Sequence, residues 1–231
     1  MLVRSIKRRA KTGPKRIPVT IAGLKVIYSF IASSSWQQAD KIMLWAAVTT
    51  GFFGFLRSSE YVAPQTQKYD PESTLCFEDV KYQHPNFYIK IKTSKTDPFR
   101  EGCTICLSPS KAQICPVRNL QIYINQHQFR SGPLFTYADN TLLTRRRLNC
   151  LLKSAIPSSA LAPVSSHSLR IGAATTAAAG GFPRWLIQQL GRWTSDCFRT
   201  YIQIPMQTFS RVSHTLATTI REGTEFDPDL A

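Results

Sequence analysis

The segment Ser166-His167-Ser168-Leu169-Arg170 sets a histidine and an arginine three residues apart at the head of an Ala/Gly-rich stretch. Leu190-Gly191-Arg192-Trp193 follows, then a tyrosine at 201; Arg57, Glu60 and Lys95 stand earlier. Together these are the parts needed to break and remake a phosphodiester without metal or water. Such a reaction needs a nucleophile that holds the phosphate covalently, cations for the charge developing on phosphorus, and an acid for the departing 5′ oxygen. Tyrosine suits the first role because a phosphotyrosine diester can be attacked again by a hydroxyl, so the bond energy is kept and no ATP is required. Two arginines suit the second, since a guanidinium donates in a planar fork to two phosphate oxygens. A lysine on a turn suits the third. Taken singly, each residue is ordinary; their order along the chain is not.

The elements that must position them can be read from periodicity. Ile21–Ile31 places Leu24, Ile27, Tyr28 and Ile31 on one helical face, and 37–56 is apolar nearly all round, as a central helix should be. Arg57 and Glu60 follow that helix at an offset that lets a carboxylate orient a guanidinium. The period then changes. Segments 75–80, 86–93 and 102–107 read as three short antiparallel strands, with Phe87, Ile89 and Ile91 alternating against Tyr88, Lys90 and Lys92. Lys95 lies at the tip of the turn between the second and third. Helical pattern returns at 117–127 and 144–154. A further helix opens near His167, where Arg170 shares its face near the positive end of the dipole. It should close at Gly180-Gly181, the usual left-handed stop. Short helices are expected at 184–190, around Tyr201, and at 207–221. The expected class is α+β, mainly α-helical, with a small three-stranded sheet.

Composition narrows the partner. The chain has 231 residues, 43% hydrophobic, with a net charge of +15. That suits one domain with a real core, and the charge points to a polyanion. Residues 1–16 hold seven bases (Arg4, Lys7, Arg8, Arg9, Lys11, Lys15, Arg16) and no acid; of the 29 bases, 22 remain against 14 acids. The tail reverses sign with Glu222, Glu225, Asp227 and Asp229. Lys7, Arg8, Arg9, Lys15, Arg16 and the run Arg145, Arg146 and Arg147 are the candidate contacts to such a polyanion, and each fits a solvated face equally well. No apolar run approaches the roughly 20 residues that span a bilayer. The six cysteines lack the regularity of a disulfide framework, and Cys103-x-x-Cys106 lies on an expected strand, where residues three apart face opposite ways. No metal and no cofactor is expected.

The segments Gly54-Phe55-Leu56-Arg57-Ser58-Ser59-Glu60, Ser94-Lys95-Thr96-Asp97, Ser165 to Ala174, and Leu190-Gly191-Arg192-Trp193 with Tyr201 resemble the catalytic domain of the tyrosine recombinases. The closer likeness is to the Crypton and DIRS-like recombinases of eukaryotic mobile elements, and it runs from about Pro18 to Pro205. The resemblance implies that Arg57 and Arg170 bind the scissile phosphate, His167 assists in proton transfer or hydrogen bonding, Lys95 is the general acid and Tyr201 the nucleophile. Glu60 fills the supporting acidic position. The family often has His or Trp directly after the glycine equivalent to Gly191; here Arg192 stands there and Trp193 comes next, so that role is open between the two. The resemblance divides the chain into a basic linker-like leader (1–17), the catalytic domain (18–205), and a C-terminal helix and acidic tail (206–231). It implies double-stranded DNA as partner, a homotetramer on DNA, and an intracellular, nuclear location. Family members usually carry a core-binding domain ahead of the leader. The rivals are a domesticated DNA-binding module without catalysis and a type IB topoisomerase-like enzyme.

Overall fold

A computed structural model of the chain describes residues 16–93, 97, 99–110, 112–127, 131–157 and 163–193. Helix α1 (Ile21–Ser33) buries Leu24, Ile27 and Ile31, three and four residues apart, as its pattern requires. Helix α2 (Gln38–Phe53) is buried from Met43 to Phe52, so it forms the axis of the core. A four-residue turn of helix, α3 (Ser58–Tyr61), follows it.

The sheet comprises β1 (Val80–Gln83), β2 (Asn86–Ile91) and β3 (Cys103–Leu107), antiparallel, with β2 in the middle. Ile89 pairs with Val80 on one side and Ile105 on the other. Phe87, Ile89 and Ile91 are the buried face, as their alternation predicts. The first strand differs from expectation. Residues 77–79 form a 3₁₀ turn instead, because the Asp79 carboxylate accepts from the Cys76 backbone N–H at 2.8 Å and curls the chain. Pairing starts only at Val80, where a strand over 75–80 would have ended. The Asp97 carboxylate accepts from Gly102 N at 2.8 Å and Glu101 N at 3.1 Å, closing the base of the β2–β3 turn. Lys95 itself lies outside the described residues.

Helices α4 (Pro116–Gln126), α5 (Arg145–Ala155), α6 (Ser166–Ala179) and α7 (Arg184–Leu190) complete the order. Thr144 caps α5 by accepting from Arg147 N at 3.3 Å. Gly172 lets α6 lie directly on the incoming chain: a Cβ there would come within 1.8 Å of the Val19 carbonyl oxygen. That approach is fastened by Val19 N donating to Ser168 O at 2.9 Å and Ile17 N to Pro163 O at 3.1 Å. Among the described residues no helix is long and apolar enough to cross a membrane. The leader before Arg16, the helix expected around Tyr201 and the C-terminal helix and tail lie outside the described residues.

Candidate active site

Three helix ends share one backbone design. At each, the third residue past the helix donates five positions back: Leu56 N to Gly51 O, Phe182 N to Ala177 O, and Trp193 N to Gln188 O. This motif needs a left-handed residue in between. After α6 that residue is Gly181, at φ 77°, with open space around it. After α2 it is Phe55 (φ 50°), and after α7 it is Arg192 (φ 52°). Each non-glycine residue there costs about 1–2 kcal/mol, and backbone strain of this kind collects at functional sites.

The strained ends face one another. Arg170, on the second turn of α6, donates through Nη1 to Phe55 O at 2.6 Å and through Nη2 to Gly191 O. Its guanidinium lies 4.5 Å from the centre of the Trp193 ring, and the residue is only 1% exposed. Trp193 meets Phe55 edge-on. Gly191 is required by this stacking and not by its own backbone angle: a Cβ would fall 1.7 Å from the Trp193 ring. Arg192 reaches back to α2, donating to Gly54 O at 3.3 Å and Phe55 O at 3.4 Å.

Glu60 joins the remaining groups. Its side chain is 1% exposed; Oε1 accepts from Arg57 Nη1 at 3.0 Å, while Oε2 accepts from Arg57 N at 2.8 Å and Arg192 Nη2 at 2.7 Å. One buried carboxylate thus holds two guanidinium groups that are 135 residues apart in sequence. The trio keeps a net positive charge.

His167 sits in the first turn of α6, half-buried. Burial, then the charges of Arg16, Arg170, Arg57 and Arg145, push its imidazole down from 6.5 to about 4, so it is neutral at pH 7. These four guanidinium groups concentrate positive charge around the imidazole. Arg16 reaches it because Val19 is tied to Ser168 of α6 and Ile17 to Pro163 just ahead of that helix, and Arg145 reaches it from the start of α5. Asn149 Oδ1 anchors α6 by accepting from Ser166 N at 2.7 Å.

Of the residues expected from sequence, the structure brings together Arg57, Glu60, His167, Arg170, Arg192 and Trp193, with Arg16 and Arg145 beside them. The basic run on α5 divides. Arg147 donates to Thr141 Oγ1 and stacks 4.5 Å over the Tyr137 ring. Arg146 and Arg147 line a separate cleft with Trp36 and Asp139. Tyr201, Lys95, Lys7, Arg8, Arg9 and Lys15 lie outside the described residues. Among the described residues, no group of three His, Cys, Asp or Glu side chains could hold a metal ion. Sequence reasoning missed the Phe55 carbonyl, which both Arg170 and Arg192 use. Phenylalanine gives no sign of a left-handed turn.

No protein-family model matches the chain, and no curated protein matches it in sequence. Solved structures do. The XerH site-specific recombinase bound to palindromic difH substrate, in its post-cleavage complex, matches with a TM-score of 0.62 at 14% identity, over 90% of this chain and 55% of that one. The XerA recombinase matches at 0.59 and 19% identity, over 92% and 68%. A lambda integrase dimer bound to a COC′ core site matches at 0.55 and 16%, over 97% and 54%. The fold is therefore that of the tyrosine recombinase catalytic domain, and the chain spans about half the length of the XerH and lambda integrase chains.

Proposed function

We propose that this chain is the catalytic domain of a site-specific tyrosine recombinase of the Crypton and DIRS-like kind, cutting and rejoining duplex DNA through a 3′-phosphotyrosine. One observation carries the reading. Arg57, His167 and Arg170, from segments more than a hundred residues apart, gather with Arg16 and Arg145 into one cationic cluster on this fold. A scissile phosphate is the ligand such a cluster of charge suits. Arg57 and Arg170 would take its non-bridging oxygens. A guanidinium has five N–H groups, and two of those on Arg170 are committed to carbonyls.

In the proposed reaction the Tyr201 oxygen attacks phosphorus, and the 5′ oxygen leaves with a proton from Lys95. Neutral His167 accepts the phenol proton at its unprotonated nitrogen and returns it when Tyr201 departs, while its N–H donates a hydrogen bond to a phosphoryl oxygen. A 5′-hydroxyl then attacks the phosphotyrosine, Tyr201 departs, and Lys95 recovers a proton. The roles of Tyr201 and Lys95 rest on their motif positions. The reading also takes 1–17 as a linker, 206–231 as a segment exchanged within a DNA-bound homotetramer, and the nucleus as the location. No cofactor enters the scheme.

A second reading, a DNA-binding module without catalysis, is favoured by the 1% exposure of Arg170. One assay separates them. A pool of nicked, end-labelled duplexes with a randomised core is incubated with protein and resolved under denaturing conditions. The recombinase reading expects a covalent protein–DNA band that Tyr201→Phe abolishes. A retarded complex on native gels with no covalent band in either protein supports the binding module. Plasmid relaxation without strand exchange supports a topoisomerase.

A further inference from the structure

We infer that Arg192 is a positioning residue: it ties the C-terminal carbonyls of α2 to Glu60 and so aims the two phosphate-gripping arginines, without touching the phosphate itself. This rests on the recombinase reading for its reaction, but the geometry is separate from it.

Three observations converge. First, the Arg192 guanidinium is engaged by three acceptors at once: Glu60 Oε2 at 2.7 Å, Gly54 O at 3.3 Å and Phe55 O at 3.4 Å. Its Nε is buried with no hydrogen-bond partner among the described residues, and the side chain as a whole is only 14% exposed. Second, both anchors it holds are shared with the phosphate-gripping pair. Glu60 also binds Arg57 through side chain and backbone, and Phe55 O also binds Arg170. Movement of Arg192 therefore moves both. Third, the chain accepts a left-handed backbone at Arg192, whereas the equivalent place after α6 has glycine. A side chain kept where glycine would relieve strain is kept for what it reaches.

The charge balance has a further effect. Without Arg192, the Glu60 carboxylate would face Arg57 alone and neutralise it. With Arg192 present, the carboxylate is shared and Arg57 retains net attraction for an anion.

The test uses the full chain and two substitutions. Arg192→Gly relieves the backbone strain, so the turn still forms; Arg192→Lys keeps the charge but loses the fork. Three quantities are read: thermal midpoint, the slope of log K against log salt on a random duplex, and the rate of covalent adduct formation on the randomised nicked pool. Both variants should bind with the wild-type slope, whereas Arg57→Gln should lower the slope by about 0.9, the value of one phosphate contact. Both should lose about 10²-fold in adduct rate at saturating DNA, the effect of misplacing reacting groups by about 1 Å. Glu60→Gln combined with Arg192→Gly should lose no more than the worse single variant, because the two act through one contact. A slope lowered by about 0.9 in Arg192→Gly makes it a phosphate contact and overturns the inference. So does wild-type adduct rate in Arg192→Lys, which would reduce its role to bulk charge. If wild type itself forms no adduct, the recombinase reading fails. The inference is then decided by binding: random-duplex affinity should fall at unchanged slope in both variants, and unchanged affinity overturns it.

Discussion

His167 is held neutral at pH 7 by a half-buried position and four surrounding guanidinium groups. Its folded value of about 4 lies below the ordinary 6.5, so between those pH values the unfolded chain binds more protons than the folded one. Stability attributable to this residue is therefore present above pH 6.5 and lost as pH falls toward 4. Urea midpoints measured across that range should decline for wild type and decline less for His167→Gln. A bound phosphate should reverse the repulsion, so the imidazole signal followed by NMR should titrate at higher pH with duplex DNA than without it. The residue-level site was partly legible from sequence. Arg57 and Glu60 three apart announced their ion pair, and His167 and Arg170 announced a shared face. The role of Arg192 was not legible, because its partners are the Glu60 carboxylate 132 residues away and two backbone carbonyls 137 and 138 residues away, and carbonyls carry no sequence signature.

At the scale of elements, helix α6 carries most of the arrangement, and small residues let it. Gly172 admits the Val19 carbonyl against the helix barrel. Gly172→Ala would drive a methyl group into backbone, which cannot rotate away, and should cost about 1–3 kcal/mol or more. A lowered denaturant midpoint, with faster proteolysis near Ile17, would register it. Gly191→Ala acts differently: it should expel the Trp193 ring from its stack on Arg170 and change tryptophan fluorescence. Most helices were readable because apolar spacing and caps agree over ten or more residues. The first strand was not. Residues 75–80 have strand-like composition, but one aspartate hydrogen bond to the Cys76 backbone turns them into a 3₁₀ bend. A local side-chain contact of that kind overrides propensity and leaves no periodic trace.

For the molecule as a whole, a net charge of +15 makes polyanion binding and steep salt dependence the expectation. The structure sorts that charge by use. Arg145→Gln should lower the salt slope on random duplex DNA by about 0.9. Arg147→Gln should leave the slope unchanged and lower the thermal midpoint, since Arg147 serves Thr141 and Tyr137. Equal slope losses at both positions would contradict this division.

The hydrogen bond from Val19 to Ser168 has a mechanical reading. It fastens the incoming chain to the very turn of helix that carries the imidazole, so tension applied upstream of Arg16 is delivered one residue from His167. Any body attached to that leader holds a lever on the histidine's helix, and because Val19 is itself fully buried in the core, pulling it free would disturb both together.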